Sequence, residues 1–108
     1  MKARFKPAFH SFVKKQHKPL QLAIEDVVEE ICEAPDIGER KIGDLLGIRV
    51  FKFRQRGQQY LIAYRVPTDE KMKAKAMDIE FLFIDFYQVG THENFYAILK
   101  NYLKSRGE

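Results

Sequence analysis

The sequence is too poor in cysteine for a covalent scaffold. Cys32 is the sole cysteine among 108 residues, so it forms no internal disulfide and has no partners for a cysteine-rich zinc site. Free cysteine is among the most buried residue types, and Cys32 is expected to be a buried helix residue rather than a reactive thiol. Long apolar runs are also missing. None approaches the roughly 18 to 20 residues that a membrane span needs, and the opening stretch MKARFKPAFHSFVKK interrupts its hydrophobics with Lys, Arg and Pro, unlike a signal peptide. A cytoplasmic location without a membrane partner is expected. The chain lacks a P-loop, a dinucleotide glycine fingerprint and a serine-nucleophile elbow. No His and carboxylate spacing matches a metal site. No metal and no cofactor is therefore assigned. Internal repeats and low-complexity segments are absent as well.

What is present suffices for a folded unit. Hydrophobic residues make up 45%, charged residues 31% and aromatics 13%, an apolar content that disordered chains do not reach. The length fits one domain over residues 1–108 with one modest core. The net charge of +4 points weakly to an anionic partner, so the placement of the charges matters more than their sum.

Phe5, Phe9, Phe12 and Val13 recur at a spacing compatible with a short amphipathic helix after Pro7, preceded by a brief strand at Lys2 to Phe5. From Pro19, the segment PLQLAIEDVVEEICEAP puts Leu20, Ile24, Val27, Ile31 and Ala34 on one helical stripe. Glu25, Asp26, Glu29, Glu30 and Glu33 lie largely off it. Pro19 suits a first helical turn and Pro35 cannot continue the helix. DIGERKIGDLLG has three glycines in twelve residues and no period, so it is expected to be a connecting loop. Strands are expected at Ile48 to Arg54, Tyr60 to Val66 and Asp78 to Val89. QRGQQ turns the first into the second, and PTDEKMKAKA forms a longer polar loop before the third. A last helix follows Gly90, with Phe95, Ile98, Leu99, Tyr102 and Leu103 at helical spacing. The expected class is α+β: an antiparallel sheet of three to four strands, two N-terminal helices on one face and a C-terminal helix, with the helices covering one face and leaving the other open.

Strand alternation in VFKFR places Phe51 and Phe53 on one face and Val50, Lys52 and Arg54 on the other. The phenylalanines should meet the helices, which leaves a cationic ladder on the uncovered face. An exposed sheet face is usually polar, so solubility alone would account for two cations. Further cations, Arg40, Lys41, Arg49, Arg56 and Arg65, lie in or near the same strands, whereas much of the acidic charge sits on the second helix. Such a one-sided field attracts phosphates. His92 stands at a strand end, and with a reference pKa near 6.5 histidine exchanges protons at neutral pH. Tyr96, four residues on, lies one helical turn away on the same side. Taken alone, the pair also fits a loop histidine and a partly buried helix aromatic. His10 and His17 read as surface residues.

Together, the stretches APDIGERKIGDLLGIRVFKFR, YLIAYRV and VGTHENFYAILKNYL resemble the RelE/ParE superfamily of bacterial type II toxins, most closely the ParE-like toxins, from about Leu20 to Tyr102. The resemblance implies a small α+β toxin whose partner is a cognate antitoxin protein that wraps it in a hetero-oligomer. It leaves two targets. RelE-like members cut mRNA on the ribosome, and ParE proper poisons DNA gyrase. For the first, it implies metal-free cleavage with Lys52, Arg54, His92 and Tyr96 as the catalytic set. Lys52 and Arg54 would stabilise the phosphorane, His92 would transfer a proton, and Tyr96 would position or stack on a base. Lys41, Arg49, Arg56 and Arg65 would bind substrate. The chain departs from the RelE pattern at one place: a strand arginine is replaced by Leu61 before IAY. Arg65 shares the face of Leu61 but lies four residues along, about 13 Å at strand rise.

Overall fold

Prolines set where the helices begin. Pro7 opens α1 (Pro7–Lys14) and Pro19 sits in the first turn of α2 (Lys18–Glu33), positions where a missing N–H costs no hydrogen bond. The computed structural model describes residues 1–69 and 82–106. Apart from short 3-10 turns, its remaining described elements are β1 (Lys2–Phe5), β2 (Glu39–Arg40), β3 (Arg49–Gln55), β4 (Gln58–Arg65), β5 (Phe83–Thr91) and α3 (Phe95–Arg106). The first four residues of the strand expected from Asp78 lie outside the described residues, as does most of the loop before it.

Among the described residues the strands form one five-stranded sheet in the order β1-β5-β4-β3-β2. Two features correct the expected three- to four-stranded antiparallel sheet. β1 pairs parallel with β5, from Lys2↔Phe83 to Phe5↔Phe86, so the sheet is mixed. Arg4 and Asp85 face each other in that register and form a two-pronged ion pair at 2.6 and 3.0 Å. The expected connecting loop also contains β2, two residues that pair with Val50 and Arg49 of β3.

α1 and α2 cover one face. Leu20, Ile24, Val27, Val28 and Ile31 of α2 are buried with Phe9, Ile62, Tyr64, Ile84, Phe86 and Val89, and Phe51 and Phe53 pack against them. The α2 acids face solvent. Cys32 is partly buried at the rim of this core rather than fully buried, and burial pushes its thiol pKa up.

α3 does not join these helices. It packs on the opposite face, where Phe95, Leu99 and Leu103 bury Val50, Leu61, Ala63 and Tyr87. The sheet is therefore a central layer with a core on each side, which corrects the expectation of helices on one face only. The reason is visible in β4. Leu61, Ile62, Ala63 and Tyr64 are all fully buried, a run without alternation that has to be covered on both faces. A bulge between Ala63 and Tyr64 pairs Ala63 with Gln88 and Tyr64 with Phe86, which leaves Tyr87 as the extra residue of β5. Gln88 then donates its amide to the Phe95 carbonyl at 2.9 Å, fastening the start of α3 to the sheet. Ile98, expected on the packed stripe, is 56% exposed.

β3 and β4 meet in a two-residue turn, Arg56-Gly57, both with positive φ (51° and 80°). That is the hairpin turn whose twist matches the strands, and it favours Asn-Gly over a bulky residue at its first position. Arg56→Asn is accordingly expected to stabilise the fold by about 0.5–1 kcal/mol, read as a higher urea midpoint at unchanged slope.

Candidate functional site

The face that carries α3 is covered only in part. Val50 lies beneath α3, and alternation puts Lys52 and Arg54 on the same face further along β3, where both are exposed. Glu39 of β2 stands directly opposite Val50, and residues opposite each other share a face. Lys41 follows two residues later, its N–H donating to the carbonyl of Ile48, the residue just before β3, at 2.9 Å.

α3 closes this patch from above. Asn94, with φ 59°, turns the chain out of β5, and its carbonyl accepts the first helical hydrogen bond, from Ile98 at 3.0 Å. Asn tolerates this left-handed conformation better than most residues. The helix thus begins at Phe95, later than the Thr91 to Glu93 start that the sequence favours, and His92 is held in the turn before it. The His92 and Tyr96 rings meet edge-on at 5.9 Å between centroids. Lys41 Nζ lies 5.3 Å from the centre of the Tyr96 ring and 2.5 Å from a Glu39 carboxylate oxygen. The segments around residues 39–41 and 92–96 therefore meet, and Lys52 is close enough to act on the Glu39 carboxylate.

The charges are coupled. Hydrogen bonding to Glu39, with a smaller contribution from Tyr96, raises the Lys41 pKa and keeps the ammonium charged. Reciprocally, Lys41 holds the Glu39 carboxyl below its usual value, first by that hydrogen bond and then by its charge, with Lys52 adding to the effect. The folded pKa of Glu39 is lowered, so the pairing is fully present at neutral pH and is lost only as pH falls through that lowered value. Glu39 was not singled out from the sequence. A two-residue strand carries no periodic signal, and only its short spacing to Lys41 marks it.

A tyrosine on the other face fixes the loop that presents these groups. The Tyr64 hydroxyl donates to the Pro35 carbonyl and accepts from the Gly38 N–H, both at 2.8 Å. A Cβ at Gly38 would collide with that hydroxyl. Tyr64→Phe leaves the buried Gly38 N–H without its acceptor, and a loss of about 1–3 kcal/mol is expected in chemical denaturation. Faster amide exchange at residues 38–41 should accompany it.

The other expected site residues are dispersed. Arg54 is exposed and donates to the Gly57 carbonyl at 3.3 Å, so it reaches along the strand toward the hairpin tip. Arg56 occupies the tip itself. Arg49 lies on the opposite face beside Phe51, in a bidentate ion pair with Asp69 at 2.7 and 3.0 Å, and also bonds the Gly38 carbonyl at 2.8 Å. With both side chains only 12% exposed, it braces the same loop from beneath. Arg65 stacks over the Tyr87 ring at 5.4 Å, away from Lys52 along β4. Leu61, directly opposite Lys52, is fully buried under α3. Among the described residues no three His, Cys, Asp or Glu side chains gather as a metal site.

A model of the ParE-like toxins of type II bacterial toxin-antitoxin systems matches residues 4–100. The chain belongs to this family. No curated protein matches it significantly. Its fold is similar to that of the isolated E. coli RelE toxin, at 17% identity and a TM-score of 0.60 over 94% of this chain and 98% of that one. It is also similar to a chain of the intact E. coli RelBE toxin-antitoxin complex, at 17% identity and a TM-score of 0.58 over 83% and 94% of the two chains. A mutant of E. coli RelE in complex with an antitoxin RelBc peptide matches at 17% identity and 0.59 over 91% and 92%.

Proposed function

We propose that this toxin is a ribosome-dependent mRNA endoribonuclease. The observation that carries the reading is the meeting of Lys41 with the His92–Tyr96 pair, with Lys52 near Glu39 and Arg54 exposed further along the same strand face. An acid–base group and an aromatic ring thus stand next to phosphate-binding cations on one open patch. The likeness to the RelE fold supports the same reading. In the reaction, a ribose 2′-hydroxyl attacks the adjacent phosphorus, the bond from phosphorus to the 5′-oxygen breaks, and the products are a 2′,3′-cyclic phosphate and a 5′-hydroxyl. Lys52 and Arg54 stabilise the added charge of the phosphorane. His92 transfers the proton, and Tyr96 stacks on a base or positions one. Lys41, kept charged by Glu39, contacts a phosphate. Arg49 and Arg65 contribute by holding the scaffold. The partner is a cognate antitoxin protein that covers this face, a role supported by the E. coli complexes that contain an antitoxin.

Primer extension on a defined mRNA in a cell-free translation reaction tests this. Cuts within translated codons that require ribosomes are expected. A second reading, inhibition of DNA gyrase without cleavage, is favoured by Ile42 and Leu46, which are 84% and 72% exposed next to Lys41 and give that end of the molecule a protein-binding character. An intact message together with inhibited supercoiling would replace the first reading by the second.

A further inference from the structure

Two residues beyond Arg54, the β3–β4 hairpin turns over the end of the sheet, and on its far side lies a pocket of about 210 Å³ bordered by Gln16, His17, Leu20, Gln55, Arg56 and Tyr60. Two residues at its rim are poor local choices for the fold. His17 occupies the N-cap of α2 and makes no side-chain cap bond, where Ser, Asp or Asn would supply one. Arg56 holds φ 51° at a turn position suited to Asn or Gly. Among the described residues neither side chain makes a hydrogen bond or ion pair, and both are exposed. Local rules broken at one place without a structural return mark a functional site. Here two such breaks meet at one pocket.

The chemistry of the pocket is that of nucleobase recognition. Tyr60 is a partly exposed ring backed by Phe53 at 5.6 Å and 24° between planes, a rigid stacking surface. Gln16 spends its amide N–H on the Phe12 carbonyl at 3.0 Å, which leaves its amide oxygen as an acceptor, and Gln55 adds a second amide. Arg56 supplies a planar cation for stacking or for a phosphate. The volume is below the roughly 300 Å³ at which drug-sized ligand sites begin and suits a single flat ring system.

We infer that the hairpin tip is an RNA subsite, in which a strand lying across Lys52 and Arg54 continues over the tip and inserts one unstacked nucleobase between Tyr60, His17 and Arg56. The inference rests on the nuclease reading for the direction of the strand. From Lys52 to Arg56 at the turn is about 13 Å at strand rise, so the captured base belongs to a nucleotide near the scissile one. The subsite adds affinity and register and takes no part in bond breaking.

The test is fluorescence anisotropy with a labelled single-stranded RNA oligonucleotide and a series of the same strand carrying one abasic site at each position in turn. Losing a stacked base costs about 5- to 150-fold in affinity. One abasic position should therefore weaken binding to the wild type at least about 5-fold. That dependence should vanish in a His17→Ala, Arg56→Asn variant, which the turn geometry favours for folding. Equal affinity for every abasic strand, persistence of the effect in the variant, or no binding by the wild type would overturn the subsite. The two readings separate cleanly. Ribosome-dependent cuts with no abasic effect would remove the subsite and keep the nuclease. An abasic effect in a protein that cuts nothing would keep the subsite as an RNA-binding site and remove the nuclease.

Discussion

Replacing His92 with Ala is expected to slow ribosome-dependent cleavage by about 10²- to 10⁴-fold, the range for loss of a general acid or base, while leaving the fold intact. His92 is exposed in the turn before α3, and its ring touches Tyr96 only at an edge. The helix start is secured instead by Asn94 and by the Gln88 amide. The circular dichroism spectrum and urea midpoint should therefore match the wild type. Lys52→Ala removes one of the charges proposed to stabilise the phosphorane and is expected to cost about 10²- to 10³-fold, the range for a lost oxyanion donor. Full activity in a folded His92→Ala protein would take the residue out of the mechanism.

Leu61→Arg is expected to damage the protein rather than restore a missing catalytic cation. The position faces Lys52 across β3 and β4, which invites the idea that an arginine there would complete the site. Yet Leu61 is fully buried among Phe95, Leu99 and Leu103. Truncation to Ala should cost about 2–5 kcal/mol through lost burial and a cavity, and Arg should cost at least as much, since its charge would be buried without a partner. The expected readout is a large fall in urea midpoint, lost protection of α3 amides and no gain in cleavage. A stable Leu61→Arg protein with raised activity would show that α3 yields easily at this point.

Leu61 also shows what the sequence carried and where it was misleading. Alternation in VFKFR was enough to separate Phe51 and Phe53 from Lys52 and Arg54, because β3 is half covered and each side chain reports its own face. Pro19 and Pro35 bracketed α2 for equally local reasons. The face chosen by α3 was harder. Its periodicity declares an apolar stripe but not the surface that receives it, and the clue lay elsewhere, in the unbroken apolar run Leu61 to Tyr64. The parallel β1–β5 pair joins residues some eighty positions apart and leaves no local trace. Glu39 and Asn94 were overlooked because a two-residue strand and a single left-handed residue have no period to detect. The cations from Arg40 to Arg65 read in the sequence as one field, and strand alternation was enough to put Lys52 and Arg54 on one exposed face. Arg49 and Arg65 looked identical to them in the sequence, and only their placement against Asp69 and Tyr87 sets them apart.

The placement of α3 bears on how a cell could make such a protein safely. Residues 39–56 carry the cations of the proposed site and are made early, whereas His92 and Tyr96 follow Gly90, and the helix that seats them also seals the second core. A growing chain threaded through a ribosome therefore holds half a site over an open sheet. On the proposed mechanism, such a chain gains its full set of groups only when α3 has settled onto the sheet.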